Sequence, residues 1–435
     1  MARVPAKLKR HLPASFLGPS AGVYPLAAGV GSRHTRVALF SHDTQGLGHV
    51  RRNSLVAGAI VADQPDTDVL LIAGAPEVAA LPLPPRTEVV TIPTLHKAPT
   101  GAYSARVLST SLDDVLAMRE AVVDAALSTF APDLLIVDKV ARGVGGELDR
   151  PLSHVRAQHG TSTVLGLRDV LDGVDQTRRE WALTRTDEAI ADLYDDVWVY
   201  GDPAIFDPAV AYGWPAATSS KVRYTGYLAR GRSAVVGLSR ANGAPTAEDV
   251  DSPFVLCLVG GGQDGAALAR AFAGASFPRG HVGVLITGPY MDRGVLGELV
   301  ASASRRPDLV VLEFVADVPA FVERAAATVS MAGYNSVCEL LPVGRPALLL
   351  PRTVPRVEQA LRAEQLRKAG LVDVLGADPD PSNIGGWLST ALTRPRRAHA
   401  AVDLDGLARL PRLAAELIAE APGTARTEAG HAGSV

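Results

Sequence analysis

The sequence predicts an α/β protein of two similar halves, each a parallel sheet wrapped by helices, facing one another across a cleft. Three observations lead there. Short uninterrupted apolar runs, the pattern of strands buried on both faces, alternate with longer amphipathic segments. The alternation lapses once, at 229–252, where Gly, Ser, Asn and Pro gather, and then resumes. A chain of 435 residues with 47% hydrophobic and 20% charged residues is also material for two or three globular domains, not for a disordered or fibrous chain.

Taken in order, residues 1–35 carry Arg3, Lys7, Lys9, Arg10 and Arg33 with no acid and only a weak, Gly- and Pro-broken apolar stretch. A flexible extension is expected there in preference to an export signal. The first half, 36–228, predicts strands at Val37–Phe40, Asp68–Ile72, Glu88–Ile92, Leu134–Val137, Thr163–Leu167, Val197–Tyr200 and Val222–Thr225. Between them, 112–130 repeats apolar residues every three or four positions, as a helix does. A linker is expected at 229–252. The second half, 253–400, predicts strands at Phe254–Val259, Val282–Thr287, Leu309–Phe314, Thr328–Ser330, Ala347–Leu350 and Val372–Val374, with helices between. A last helix is expected within 401–420, broken or restarted at Pro411, and then a disordered tail at 421–435.

Composition excludes several functions. Lys plus Arg number 43 against 46 Asp plus Glu, so no overall basic field exists for nucleic acid. Cys257 and Cys338, the only cysteines, suffice for neither a disulfide framework nor a Cys-rich zinc site. No apolar stretch reaches the ~20 residues of a spanning helix, and a cytoplasmic protein is expected.

Three motifs lie at predicted strand ends, where such sheets bind ligands. Ser41–His49, with Gly46 and Gly48, follows the first strand and opens a helix. Its glycines let the backbone approach a ligand, and the imidazole of His49 can take a proton from a hydroxyl near neutral pH. A structural capping histidine is the plain alternative. His42 is a rival base expected to face the interior. Arg51 occupies the third glycine position of a dinucleotide fingerprint, which is therefore incomplete.

The second motif, Gly260-Gly261-Gly262-Gln263, suits a phosphate or sugar passing close to the backbone. The third runs from Ser330 to Ala363. In it, Gly333, Tyr334, Asn335 and Ser336 form a strand-to-helix turn whose free N–H groups would meet a diphosphate. Glu339 could accept two ribose hydroxyls, and Arg352, Glu358 and Gln359 follow at the next strand end and helix start. Two charged pairs end strands of the first half. Asp138, beside Lys139, either orients His49 or meets the acceptor, with a surface salt bridge as the bland reading; Arg168, beside Asp169, could line the same cleft. Asp378-Pro-Asp380 resembles a D-x-D metal clamp but lies in a Pro-rich turn, and no catalytic metal is expected.

With these residues in view, the sequence resembles the two-domain GT-B glycosyltransferases, built of two Rossmann-like domains, and among them the family 28, MurG-like type. The resemblance is strongest over 310–370. It implies that His49 is the base, that Gly261, Gly262 and Gln263 form a donor loop with Gly and Asp264 replacing the family's Ser and Gly, and that Gly333 and Glu339 hold diphosphate and ribose. Glu358 and Gln359 would read the donor sugar, Arg362 stands where many members have Asn, and the backbone of Phe314 and Val315 would meet the nucleotide base.

The expected function is an inverting, metal-independent transfer of a hexose or N-acetylhexosamine from a nucleoside-diphosphate sugar, a uridine diphosphate donor being the expectation. The acceptor would be a small-molecule, glycan or lipid-linked hydroxyl, with no further cofactor. Peripheral contact with the inner face of a membrane is a further expectation for the lipid-linked case, with 81–111 as its candidate segment or, more simply, a cleft-lining loop. The alternatives are a UDP-N-acetylglucosamine 2-epimerase-like isomerase and a sugar-nucleotide-binding protein without catalysis, the latter favoured if His49 were buried away from the cleft.

Overall fold

The computed structural model describes residues 34–42, 48–75, 78, 83–98, 102–232, 245–376, 378–394 and 402–421. The expectations for 1–33, for Gly46, for 233–244 and for 422–435 lie outside the described residues.

Seven parallel strands form the first sheet: β1 (Arg36–Ser41), β2 (Asp68–Ala73), β3 (Thr87–Thr91), β6 (Leu134–Asp138), β7 (Ser162–Arg168), β8 (Asp196–Tyr200) and β9 (Val222–Tyr224). Their order is β3-β2-β1-β6-β7-β8-β9. A small antiparallel hairpin, β4 (Leu95–Lys97) with β5 (Tyr103–Ala105), stands apart from it. Six parallel strands form the second sheet: β10 (Phe254–Leu258), β11 (Val282–Ile286), β12 (Leu309–Leu312), β13 (Thr328–Ser330), β14 (Ala347–Leu349) and β15 (Asp373–Val374), in the order β12-β11-β10-β13-β14-β15. The continuous apolar runs are explained by position, since β6, β8, β10 and β11 are buried along their whole length.

Each sheet has one place where chain order reverses, between β1 and β6 in the first and between β10 and β13 in the second. Connections leaving these strands diverge, so a crevice opens at their carboxyl ends. All three motifs sit at these two crevices.

The first helix, α1 (Gly48–Asp63), leaves the β1 crevice. The segment 112–130 is a helix as predicted, capped by the Ser111 side chain, which accepts from the Asp114 amide. Pro411 does not break the last helix, which is continuous over Gly406–Glu420. Proline removes one hydrogen bond there, but the helix buries Leu407, Leu410, Leu413 and Leu417, and that apolar stripe outweighs the loss. This helix packs back on α1 of the first lobe, where Ser162 Oγ donates to Leu417 O at 3.0 Å. The expected cleft-lining role of 81–111 is not met: no described residue of that segment reaches the cleft. Among the described residues no helix is long and apolar enough to cross a membrane.

Candidate active site

A cleft of about 360 Å³ lies between the two crevices and takes its walls from both lobes. From the first lobe come Gly48, His49, Arg51, Arg52 and Arg168; from the second, Gly260–Asp264, Phe314–Val315, Gly333–Ser336, Arg352, Glu358 and Gln359.

His49, in the first turn of α1, faces this cleft with 17% of its side chain exposed. Its Nδ1 lies 2.6 Å from Oδ2 of Asp138, at the end of the adjacent strand β6. Asp138 is fully buried; burial alone would raise its carboxyl, but Arg52 and then His49 hold it well below the usual carboxylate range. An ionised carboxylate only accepts, so Nδ1 carries the proton and Nε2 is left as the acceptor. Burial draws the His49 imidazole down to about 4, against the opposing pull of Asp138, so the ring is neutral at physiological pH. Arg52 completes the group: Nη2 donates to both oxygens of Asp138 at 2.6 and 2.5 Å, and the guanidinium lies 5.7 Å from the ring of Tyr334 in the other lobe. Asp138 is thus engaged by His49 and Arg52, and it is not among the residues that line the cleft. His42 is buried as expected, its ring edge-on to His49 at 4.6 Å.

In the second lobe the glycine loop is dictated by crowding. Gly262 has φ +100°, and a Cβ there would stand 2.5 Å from Thr287 O and 2.6 Å from Met291 N. Gly333 differs. As the N-cap of the helix Tyr334–Leu340 its φ is −62°, and a Cβ would meet only Ser336 Oγ, at 4.0 Å. Neither conformation nor packing demands glycine at 333, and the space it leaves belongs to the cleft.

One expected donor residue, Glu339, is placed otherwise, while Tyr334 and Asn335 line the cleft with their side chains engaged between the lobes. Glu339 is 5% exposed and lines no part of the cleft; Arg51 reaches it from the first lobe at 2.8 Å, and Arg232 lies 3.8 Å away. Its ribose-accepting role is therefore not open in this conformation, because the arginine standing at the fingerprint's third glycine position occupies the carboxylate. The Tyr334 ring is buried between the guanidiniums of Arg52 and Arg362, 5.7 Å from each, and its hydroxyl accepts from the Leu228 amide. The Asn335 side chain spans the lobes, donating to Gly48 O at 3.0 Å and accepting from Arg232 at 3.2 Å.

Gln359 and Glu358 sit where expected. Arg352 donates to Glu358 at 2.8 Å and its Nε lies 3.1 Å from Asp264. Burial would raise the Glu358 carboxyl, yet Arg168, Arg352 and Arg362 bring it below its ordinary value. Phe314 is exposed beside buried Val315. Asp380 caps the helix Pro381–Ala391, so Asp378-Pro-Asp380 is the turn that was predicted. Sequence reasoning missed Arg52 and the fully buried Arg362–Asp169 pair, which joins the lobes with contacts of 2.6 to 3.0 Å. The doubled Arg after His49 was the available signal for the first.

Two parallel sheets sharing one cleft at their points of strand-order reversal define the GT-B class. Solved structures agree on the fold. The calicheamicin glycosyltransferase CalG4 matches with a TM-score of 0.51 at 18% identity, over 88% of this chain and 95% of its own. The UDP-N-acetylglucosamine 2-epimerase of Neisseria meningitidis matches with a TM-score of 0.55 at 13% identity, over 88% and 99%. No family model matches the chain. Within the class, the sequence is similar to the UDP-N-acetylglucosamine--N-acetylmuramyl-(pentapeptide) pyrophosphoryl-undecaprenol N-acetylglucosamine transferases, the MurG-like type. The relative from Lactiplantibacillus plantarum is 27% identical over 149 residues, 33% of this chain and 41% of its own length. That from Nostoc punctiforme is 30% identical over 154 residues, 33% of this chain and 39% of its own. The match thus spans about two fifths of these relatives.

Proposed function

We propose that this protein is an inverting glycosyltransferase that uses a nucleoside-diphosphate sugar. The observation that carries the reading is a neutral histidine, its Nδ1–H held by a buried carboxylate, lining the same cleft as two glycine turns of the opposite lobe. The acceptor hydroxyl gives its proton to His49 Nε2 while its oxygen bonds to the anomeric carbon. The bond from that carbon to the diphosphate breaks, and its electron pair leaves with the diphosphate. Asp138 stabilises the imidazolium so formed, and attack opposite the leaving group inverts the centre. The Gly333–Ser336 amides and Arg352 would meet the charge growing on the diphosphate, in place of a divalent ion. A ring at about 4 is a weak base in the free protein. The incoming diphosphate brings negative charge into the same cleft and raises it toward the working range. Gln359 and Glu358 would read sugar hydroxyls, and Phe314 and Val315 the base. A uridine nucleotide and cytoplasmic action belong to the same proposal.

The test is thermal-shift screening against a panel of nucleotide sugars, where a ligand at 100 times its Kd adds about 2.7 kcal/mol of apparent stability. The binding donor is then incubated with wild type and His49→Ala. Retained donor binding with transfer reduced ~100-fold or more supports the base; wild-type-like turnover rules it out. Isomerised donor formed without any acceptor would replace this reading with the epimerase one.

A further inference from the structure

Glu358 and Gln359 open the helix Glu358–Lys368, and the way that helix starts decides where their side chains point. The first N–H groups of a helix have no partner within it and take one from elsewhere. The N-cap here is Val357, whose side chain offers no acceptor, and no side-chain cap bond forms at this start. The acceptor comes from the other lobe instead. Asp172, in the loop after β7, takes the Val357 amide on Oδ1 at 3.0 Å, across 185 residues of sequence. Its second oxygen accepts from Arg356 Nη1 at 3.2 Å. Arg356 also donates to Glu180 of the helix Val174–Thr184, from Nη1 at 3.1 Å and again from Nη2. Asp172 is itself held. It is 3% exposed, its Oδ1 also accepts from Gly173 N at 2.9 Å, and the Tyr212 hydroxyl accepts from Leu171 N and donates to Asp172 O, each at 3.0 Å. Gly173 lets the two lobes close on this point: a Cβ there would stand 3.2 Å from Val357 Cγ2, tighter than ordinary van der Waals contact, although its φ of −58° makes no demand for glycine. A buried carboxylate that accepts from Val357, Gly173 and Arg356 makes charge-assisted bonds, stronger than those of an exposed surface pair.

We infer that Asp172 is a positioning residue for donor-sugar selection: from the first lobe it caps the second-lobe helix that carries Glu358 and Gln359, so the sugar-reading pair is set only while the lobes are together. Glu358 and Gln359 line the cleft, whereas Asp172, Arg356 and Val357 do not, so Asp172 acts through the helix start and not by touching the donor. The inference rests on the reading of Glu358 and Gln359 as the pair that meets the sugar, and adds the residue that aims them. Gly333, Phe314 and Val315 stand on other elements, so loss of this cap should leave the nucleotide's own binding in place.

The experiment is calorimetric titration of the full chain with UDP and with two pairs of epimeric donors, UDP-glucose with UDP-galactose and UDP-N-acetylglucosamine with UDP-N-acetylgalactosamine. Wild type is expected to separate the members of at least one pair by about tenfold or more, as a site that hydrogen-bonds a hydroxyl does. Asp172→Ala removes the acceptor and should bring that ratio below about threefold, with UDP affinity changed less than about twofold. Asp172→Asn keeps an oxygen for the Val357 amide while Glu180 still answers Arg356, and should hold about half the wild-type ratio or more. The ratio is the readout, because removing a buried carboxylate lowers the melting temperature whatever its role. Should the alanine variant not fold, Asp172→Ser, whose shorter side chain does not reach Val357, takes its place. An alanine variant with the wild-type ratio, an asparagine variant that loses it as fully as alanine, or a loss of UDP affinity equal to the loss for the sugar donors would overturn the positioning role alone. A wild type that binds UDP but separates neither pair would strike the reading of Glu358 and Gln359 and this inference with it, and one that does not bind UDP would strike the uridine donor.

Discussion

Asp138→Asn is the most informative single change, because it removes one charge from a site with no solvent to replace it. Asp138 is 0% exposed and Arg52 only 2%. The amide keeps one acceptor for Arg52, but the guanidinium is left without its counter-ion in a buried position. Removing one partner of a buried ion pair costs about 3–5 kcal/mol, a third or more of the roughly 5–15 kcal/mol that holds a domain folded. For a unit the size of the first lobe each kcal/mol moves the melting temperature by about 2–4 °C, so a loss of at least about 6 °C is expected at pH 7.5 by calorimetry. Replacing both partners with apolar residues, Asp138→Leu with Arg52→Met, removes the stranded charge and should recover most of that loss. Turnover should stay low in the double variant, since nothing then fixes the tautomer of His49. A single variant melting within 2 °C of wild type, or a double variant no more stable than the single, would refute the buried-pair reasoning.

Two further outcomes follow from the same geometry. The folded value of His49, about 4, lies below the ordinary 6.5, so the neutral base persists well into acid. The pH profile of kcat/KM should be flat from about pH 8 to 5.5 and fall tenfold per unit only below about 4, and an acid limb near 6.5 would contradict it. The sign for stability is the same: this group's contribution is complete above pH 6.5 and is lost as pH falls toward 4, because the unfolded chain takes up the proton first. Gly262→Ala places a methyl against Thr287 O and Met291 N in a left-handed conformation, so it should lower the melting temperature and weaken donor binding tenfold or more by titration. Unchanged donor affinity would remove that loop from the site.

The two sheets were legible because burial on both faces writes strands as unbroken apolar runs, and the strand ends then located the glycine turns and His49. The same logic reached Asp138, since residue 138 ends the strand beside the one that leads to residue 49. It could not decide what Asp138 touches, because Arg52 intervenes from a helix whose phase was not fixed by the glycine loop. The contacts between lobes were least visible: Asp169 and Arg362 are 193 residues apart, and no local periodicity couples them. Glu339 shows the resulting error, since an acid one turn into a helix has the right type for ribose, and only the fold reveals Arg51 on it. Pro411 failed for a related reason, as a local rule was outweighed by packing against the other lobe.

The arginines that depart from the family pattern also divide the cleft into a fixed side and a yielding one. Arg362 and Asp169 are 0% and 1% exposed, so separating them strands two buried charges and costs several kcal/mol. Arg51 is 39% exposed where it meets buried Glu339, and Arg232 lies 3.8 Å from the same carboxylate, so parting Arg51 leaves Glu339 facing a second cation rather than none. Of these two contacts between the lobes, Arg51–Glu339 is therefore the more easily parted, and Arg362–Asp169 the one that stays closed.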